Sequence, residues 1–367
     1  SSRHLSSLAK MFNAEIAQFL KTLLTTRMKN EQESFESPPS ASQVALDRKG
    51  SKGHYSFSWQ TTTGEKCVSG TGNVLPRRIS KLLKRHHACG SLASLSKISL
   101  SNGTIEAEWK VVVSRDVRKL SSLCPRLREV SLDGFSFGAA HRKRRVKLRD
   151  FPQRMVSLSL RGCVLDMKTL FSVGPTEHCE LTTLDLGRCF FLNDEKARSG
   201  RRPSWPSLPA LEGLCLEGCP FLISDAILSD VLLCCPALQV LDIEGTSLQS
   251  SLDVALIGKC LPKLREMFIG WTDVNDSTFL ALQRGSFDSL VSLCLVGTLV
   301  TNLGVLAMCG VCPRLRFVRV NMGRCAIRSL ENVDACASVQ FEVACFRSDN
   351  VNAVLRHEGC EHFRERV

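Results

Sequence analysis

One pattern recurs from Leu127 onward and limits what the chain can fold into: L-x-x-L-x-L-x-x-(C/T). Its copies start at Leu127, Met155, Leu181, Leu211, Leu238, Leu264, Leu290 and Leu315, spaced 25 to 30 residues apart. The closing residue is Cys163, Cys189 and Cys219, then Thr246, Thr272 and Thr298. A weaker copy precedes the series at Leu95/Ile98/Leu100, and a degenerate one follows at Val339/Phe341/Val343. The L-x-L pair puts alternate side chains on one face of a short strand. A single unit of this length cannot bury its own apolar face, so the period demands stacked neighbours.

Between the strands the apolar spacing becomes helical, as in Ile227, Val231 and Leu232 or Phe279, Leu280 and Leu282. Ser224, Asn275 and Thr301 stand where helix N-caps belong. The helices are expected to end at Cys124-Pro125, Cys235-Pro236, Leu261-Pro262 and Cys312-Pro313, because proline cannot continue them. The fold class expected is α/β: a right-handed solenoid of about 8–10 strand–helix repeats with a parallel concave sheet.

The L-x-x-L-x-L-x-x-C runs at 155–163, 181–189 and 211–219, with the C-P-x-L lead-ins at 124–127, 235–238 and 312–315, resemble leucine-rich repeats of the cysteine-containing type, as in F-box/leucine-rich-repeat proteins. The resemblance covers roughly residues 92–345. It implies a horseshoe whose concave face holds a protein, in the setting of a Skp/cullin-type ubiquitin ligase. It also implies that the Cys or Thr closing each motif points inward and satisfies backbone groups where strand bends into loop. Val74 to Leu83 has the Leu-Pro opening of the family's adaptor-binding segment. The tryptophan-containing tail of that segment is absent here, and the first repeat begins early, at Leu95.

Four regions are expected. Residues 1–30 form an amphipathic basic helix: Leu5, Leu8, Phe12, Ile16, Phe19, Leu20 and Leu23 fall at helical spacing, with Arg3, Lys10, Lys21, Arg27 and Lys29 against Glu15. That helix has the character of an organellar import signal, and equally of a helix that docks on a partner or caps the solenoid. Residues 31–90 read as a flexible linker containing the degenerate adaptor-binding segment. Residues 91–345 are the solenoid, and 346–367 a C-terminal cap.

The formal charge is +12 and 18 cysteines are present. Most of those cysteines sit beside repeat leucines, as small apolar core residues would, and point to a reducing intracellular compartment. The expected location is cytoplasmic or nuclear, with mitochondria as the alternative. No run of 18 uncharged apolar residues exists. Phosphate-loop, dinucleotide, zinc-protease and nucleophile-elbow motifs are all missing, so no catalytic residue, cofactor or metal is expected. His86, His87 and Cys89, or His357, Cys360 and His362, have no second half at zinc-ligand spacing.

Residues between the repeat leucines are expected to face out of the concave sheet. From Glu129 to Asn321 they include seven acids and two bases, which repels nucleic acid although the whole chain is basic. Toward the C-terminal half they turn apolar. The candidate partner site is Val240, Asp242, Glu244, Glu266, Phe268, Trp271, Val296 and Phe317, suited to a protein with apolar and basic side chains. The C-terminal tail folding back over this patch is the competing expectation. A basic loop at Arg142, Lys143, Arg144 and Arg145 is a second candidate, as import signal or phosphate-binding patch. The chain is expected to act as a monomer within a larger complex, with a Skp-type adaptor and cullin as further partners.

Overall fold

The structure is a computed structural model. It describes residues 55–61, 66–72, 92–102, 112, 114–137, 146–166, 180–191, 205–219, 231–246, 248, 251–321, 325, 330, 336 and 338–344. The chain divides into two compact units, Ser1–Lys52 and Gly53–Val367. The expected N-terminal helix, the adaptor-binding segment at 75–83, the two His/Cys groups, the basic loop 142–145 and the tail 346–367 lie outside the described residues.

Ten parallel strands make the sheet that the repeat predicts: β3 (Leu95–Asn102), β4 (Glu129–Asp133), β5 (Ser157–Ser159), β7 (Thr183–Asp185), β9 (Gly213–Cys215), β10 (Val240–Asp242), β11 (Glu266–Phe268), β12 (Ser292–Cys294), β13 (Phe317–Asn321) and β14 (Gln340–Ala344). They lie side by side in chain order, one per repeat, as in a leucine-rich-repeat solenoid. The weak copies at 95 and 339 supply the two end strands of this series. Two short strands, β6 (Val164–Leu165) and β8 (Phe190–Phe191), pair parallel in a separate two-stranded sheet.

Two further strands precede the repeats. β1 (Tyr55–Thr61) pairs antiparallel with β3, and β2 (Lys66–Gly72) pairs antiparallel with β1. This part of residues 31–90 is therefore not the structureless linker expected. The signal was in the sequence: Tyr55, Phe57 and Trp59 alternate with Ser56, Ser58 and Gln60, the period of a strand. β1 engages the backbone groups on the N-terminal edge of β3, which a solenoid otherwise leaves open.

Between strands, helices α1 (Ser114–Leu123), α2 (Ser251–Cys260), α3 (Asp276–Leu280) and α4 (Asn302–Val311) are described. The proline turns repeat one geometry. The N–H of Cys124, Cys235, Leu261 and Cys312 closes the last helical turn on Leu120, Val231, Ile257 and Met308. Their carbonyls then accept from Leu127, Leu238, Leu264 and Leu315, which lead into the next strand. Asn275 caps α3, accepting from Ser277 N at 3.0 Å, and Thr301 caps α4. Asp276 reaches across the repeat to accept from Thr301 N and Gly304 N at 2.7 and 3.0 Å, adding negative charge where the α4 dipole favours it.

The leucines and closing cysteines form one continuous core. Cys163, Cys189 and Cys219 each donate an S–H to a carbonyl of the preceding repeat: Leu132, Leu160 and Leu186, at 3.0, 3.0 and 3.2 Å. Thr246, Thr272 and Thr298 instead bond within their own repeat, to Ile243, Ile269 and Leu295. The cysteines thus tie repeats together while the threonines tie off single turns. Burial pushes the Cys124 thiol up to about 11 and those of Cys219 and Cys235 to about 12, and raises Cys163 and Cys189 well above the usual range. Native-state alkylation at pH 8, read by peptide mass spectrometry, is therefore expected to label the half-exposed Cys234 and Cys260 before any of these five. Early labelling of Cys189 would mean that the cysteine ladder opens.

The residue just before each closing position takes a left-handed backbone. Glycine fills that place at 134, 162, 218, 245 and 297, whereas Arg188 and Trp271 hold it at φ 57° and 55°. A side chain there costs about 1–2 kcal/mol. Both side chains lie against the glycine of the next repeat: a Cβ on Gly297 would collide with the Trp271 ring, and one on Gly218 would come 3.3 Å from Arg188 Cγ.

Candidate functional site

The β-pairing sets the outward residues of the sheet in three rows. Lys97, Glu129, Ser157, Thr183, Gly213, Val240, Glu266, Ser292 and Phe317 make the first. Ser99, Ser131, Ser159, Asp185, Cys215, Asp242, Phe268, Cys294 and Arg319 make the second. The third begins with Ser101 and Asp133 and continues through the strand exits at Arg161, Gly187, Glu217, Glu244, Gly270 and Val296.

Across β3, β4, β5 and β7 this surface holds a groove of about 490 Å³. Its outward side chains are nearly all short, which is why there is space above them: Ser99, Ser101, Ser131, Ser157, Ser159 and Thr183, with Lys97, Glu129, Asp133 and Asp185 among them. Asp133 organises the floor. It accepts from the hydroxyls of Ser131 and Ser159 at 2.8 and 2.7 Å and from Arg161 N at 3.1 Å. Lys97 and Glu129 pair at 2.6 Å. Among the described residues the hydroxyls of Ser99, Ser101, Ser157 and Thr183 make no hydrogen bond. Thr183 is only 8% exposed and lines the groove.

The floor ends at a buried charge network. Arg161, 9% exposed, spans two repeats: its guanidinium meets Asp185 at 3.4 Å, lies 3.7 Å from Cys215 Sγ and bonds Glu217. Arg188 also grips Glu217, at 2.7 Å. Arg161 can cross because residue 187 is glycine; a Cβ there would strike the guanidinium. The same device recurs further along. Glu244 lies over Gly270, where a Cβ would sit 2.7 Å from Glu244 Oε1, and accepts from the Cys294 thiol at 3.0 Å.

Packing between neighbouring strands sets where the predicted site residues sit. Phe268 and Val296, expected to be exposed, are 5% and 7% exposed and pack with Cys294 and Val240. Phe268 lies in the strand that Glu244 crosses. Asp242 is fully buried, accepting from Glu244 N at 3.1 Å and from the Cys215 thiol at 3.3 Å. Burial first, then the Glu244 carboxylate, pushes Asp242 up to about 8. Val240, Glu244 and Glu266 are half-buried, and Trp271 and Phe317 are the exposed members, at 40% and 49%. The reading that every residue between the leucines faces solvent is thus corrected: Phe268, Cys294 and Val296 pack on one another and on Val240, and Asp242 is enclosed.

Cys215, Glu217 and Asp242 bring a sulfur and two carboxylates within 4.8 Å of one another. The Arg161 guanidinium supplies the positive charge at this cluster and the Cys215 thiol donates a hydrogen bond to Asp242, so the cluster is satisfied from within. No helix among the described residues is long and apolar enough to cross a membrane.

No family model and no curated protein matches the sequence. Among solved structures, an internalin (InlF) from Listeria monocytogenes is similar at 14% identity and a TM-score of 0.43, over 70% of this chain and 64% of that one. This chain therefore spans less than two thirds of the internalin's length. A chain in the octameric complex of Latrophilin 3, Unc5D and FLRT2 (LRR) is similar at 11% identity and a TM-score of 0.33, over 74% and 90%.

Proposed function

We propose that this chain is a non-catalytic recognition subunit that holds a partner protein on the concave face of its solenoid. One observation supports this above the rest. The groove across β3 to β7 brings together the hydroxyls of Ser99, Ser101, Ser157 and Thr183, none with an intramolecular partner among the described residues, beside the carboxylates of Glu129, Asp133 and Asp185. Convergent polar groups that reach solvent in the free chain and are not bonded to one another are what a ligand on a concave surface can bond. The exposed Trp271 and Phe317 offer apolar anchors further along the same solenoid.

The finer reading is substrate recognition for a Skp/cullin-type ubiquitin ligase in ubiquitin-dependent protein catabolism, in the cytoplasm or nucleus. What supports it is the cysteine-type repeat and the Leu75-Pro76 opening. The amphipathic basic residues 1–30 favour a second reading, an organellar scaffold whose basic loop at 142–145 contacts RNA or lipid.

Affinity purification of the tagged full chain from its own cells, with mass spectrometry of bound proteins, separates these. Adaptor and cullin subunits support the ligase; organellar ribosomal or membrane-complex subunits support the scaffold. Filling the groove by Ser99→Trp with Ser157→Trp, at half-buried hydroxyls that bond nothing among the described residues, is expected to release the partner without unfolding the chain. A partner retained in full by that variant would remove the groove from the reading.

A further inference from the structure

We infer that the groove across β3, β4, β5 and β7 takes an extended partner segment bearing arginine or lysine, and rejects an acidic or phosphorylated one. The inference rests on the concave-face reading above and names the chemistry of its ligand.

A serine hydroxyl has one hydrogen to give. Ser131 and Ser159 both give theirs to Asp133, at 2.8 and 2.7 Å, so toward a ligand they present lone pairs only. Asp133, Asp185 and Glu129 are acceptors without exception when ionised. Ser99, Ser101, Ser157 and Thr183 can each donate or accept, whereas the three carboxylates and the two serines bonded to Asp133 only accept, so acceptors outnumber donors and the complement is a group rich in donors. A guanidinium, with five N–H bonds in a planar fork, has the most of any side chain.

The lining holds three carboxylates against one ammonium, and that ammonium, Lys97, is held by Glu129 at 2.6 Å. The next cation along the sheet, Arg161, is committed to Asp185 and Glu217. A phosphate would meet a surplus of negative charge and no uncommitted cation among the lining residues. The chain as a whole carries +12, so a basic segment is repelled in general and can be attracted only where the local field reverses.

The open hydroxyls lie on β3 (Ser99 and Ser101), β5 (Ser157) and β7 (Thr183), and the acceptors Glu129, Ser131, Asp133, Ser159 and Asp185 lie on β4, β5 and β7, so polar groups run across the strands. Neighbouring strands are about 4.8 Å apart, and alternate side chains of an extended chain about 6.8 Å apart. An extended segment laid across the strands meets a hydroxyl or carboxylate every strand or two.

The test uses the full chain and three dye-labelled peptides read by fluorescence anisotropy. One alternates arginine with serine and alanine; the others replace arginine by citrulline or by glutamate. The arginine peptide is expected to bind at least tenfold more tightly than either counterpart. Ser157→Lys should weaken it at least tenfold, while Ser157→Glu should keep or strengthen it. Equal binding of the arginine and citrulline peptides, no binding of any, or indifference to Ser157→Lys would overturn the inference. The tryptophan-filled variant keeps the two questions apart. If it releases the cellular partner while the peptides show no charge preference, the groove is the docking site and its ligand class is wrong.

Discussion

Arg161→Ala is expected to cost about 3–5 kcal/mol of stability, read as a lower urea midpoint with little change in slope. The size follows from what the guanidinium leaves behind. Asp185 and Glu217 have side chains only 7% and 15% exposed, so removing Arg161 strands two poorly hydrated carboxylates that cannot move to water. Arg188, whose side chain is 38% exposed, still grips Glu217 and offsets part of the loss, but nothing replaces the contact at Asp185. Arg161→Met, with a similar stem and no fork, should lose nearly as much, and Arg161→Lys should recover only part because one ammonium cannot serve both acids. Gly187→Ala approaches the same defect from the other side, by blocking the path of the guanidinium. A loss below about 1 kcal/mol in both Arg161→Ala and Gly187→Ala would mean that this network adds nothing.

Asp242→Asn is expected to stabilise the protein increasingly as pH rises. The folded carboxyl sits at about 8, far above its unfolded value near 3.9, because it is fully buried and faces Glu244. Between about pH 4 and pH 8 the folded state therefore binds a proton that the unfolded state has released. Stability must fall with pH across that window and level off above it. Asparagine keeps an oxygen for Glu244 N and places an amide beside Cys215, with nothing to titrate. The gain over the parent should be smallest near pH 4 and reach several kcal/mol above pH 8. Urea unfolding of both proteins at pH 5 and pH 8.5 checks this; parallel pH profiles would mean that Asp242 is ionised in the fold.

Much of this architecture could be read from residue spacing. The L-x-L pairs, the C-P turns and the closing Cys or Thr each report a local backbone need, and local needs survive in sequence. The strand at 55–61 was also legible, in the alternation of Tyr55, Phe57 and Trp59, but the Ser, Thr and Gly around it pointed to a linker. The surface was read less well for a physical reason. Whether Phe268 faces water depends on Val240 on one neighbouring strand and on Cys294 and Val296 beside the other. Such a fact joins three repeats, and no single copy of the motif contains it. The groove was missed for the opposite reason. Ser99, Ser131, Ser157 and Ser159 attract no notice one by one and make a site only when stacked.

The two crossings also bear on how the chain comes apart. In a repeat array each unit ordinarily touches only its neighbours, so unfolding can start at either end and proceed one unit at a time. Arg161 binds Glu217 over the intervening strand β7, and the Cys294 thiol binds Glu244 over β11. Each tie makes three consecutive units share one fate, because the middle one cannot leave without breaking a bond between its flanks. The units around β5–β7–β9 and β10–β11–β12 should therefore exchange their amide hydrogens in two blocks rather than in a smooth gradient. A stepwise gradient along the array would be the mark of ordinary nearest-neighbour behaviour.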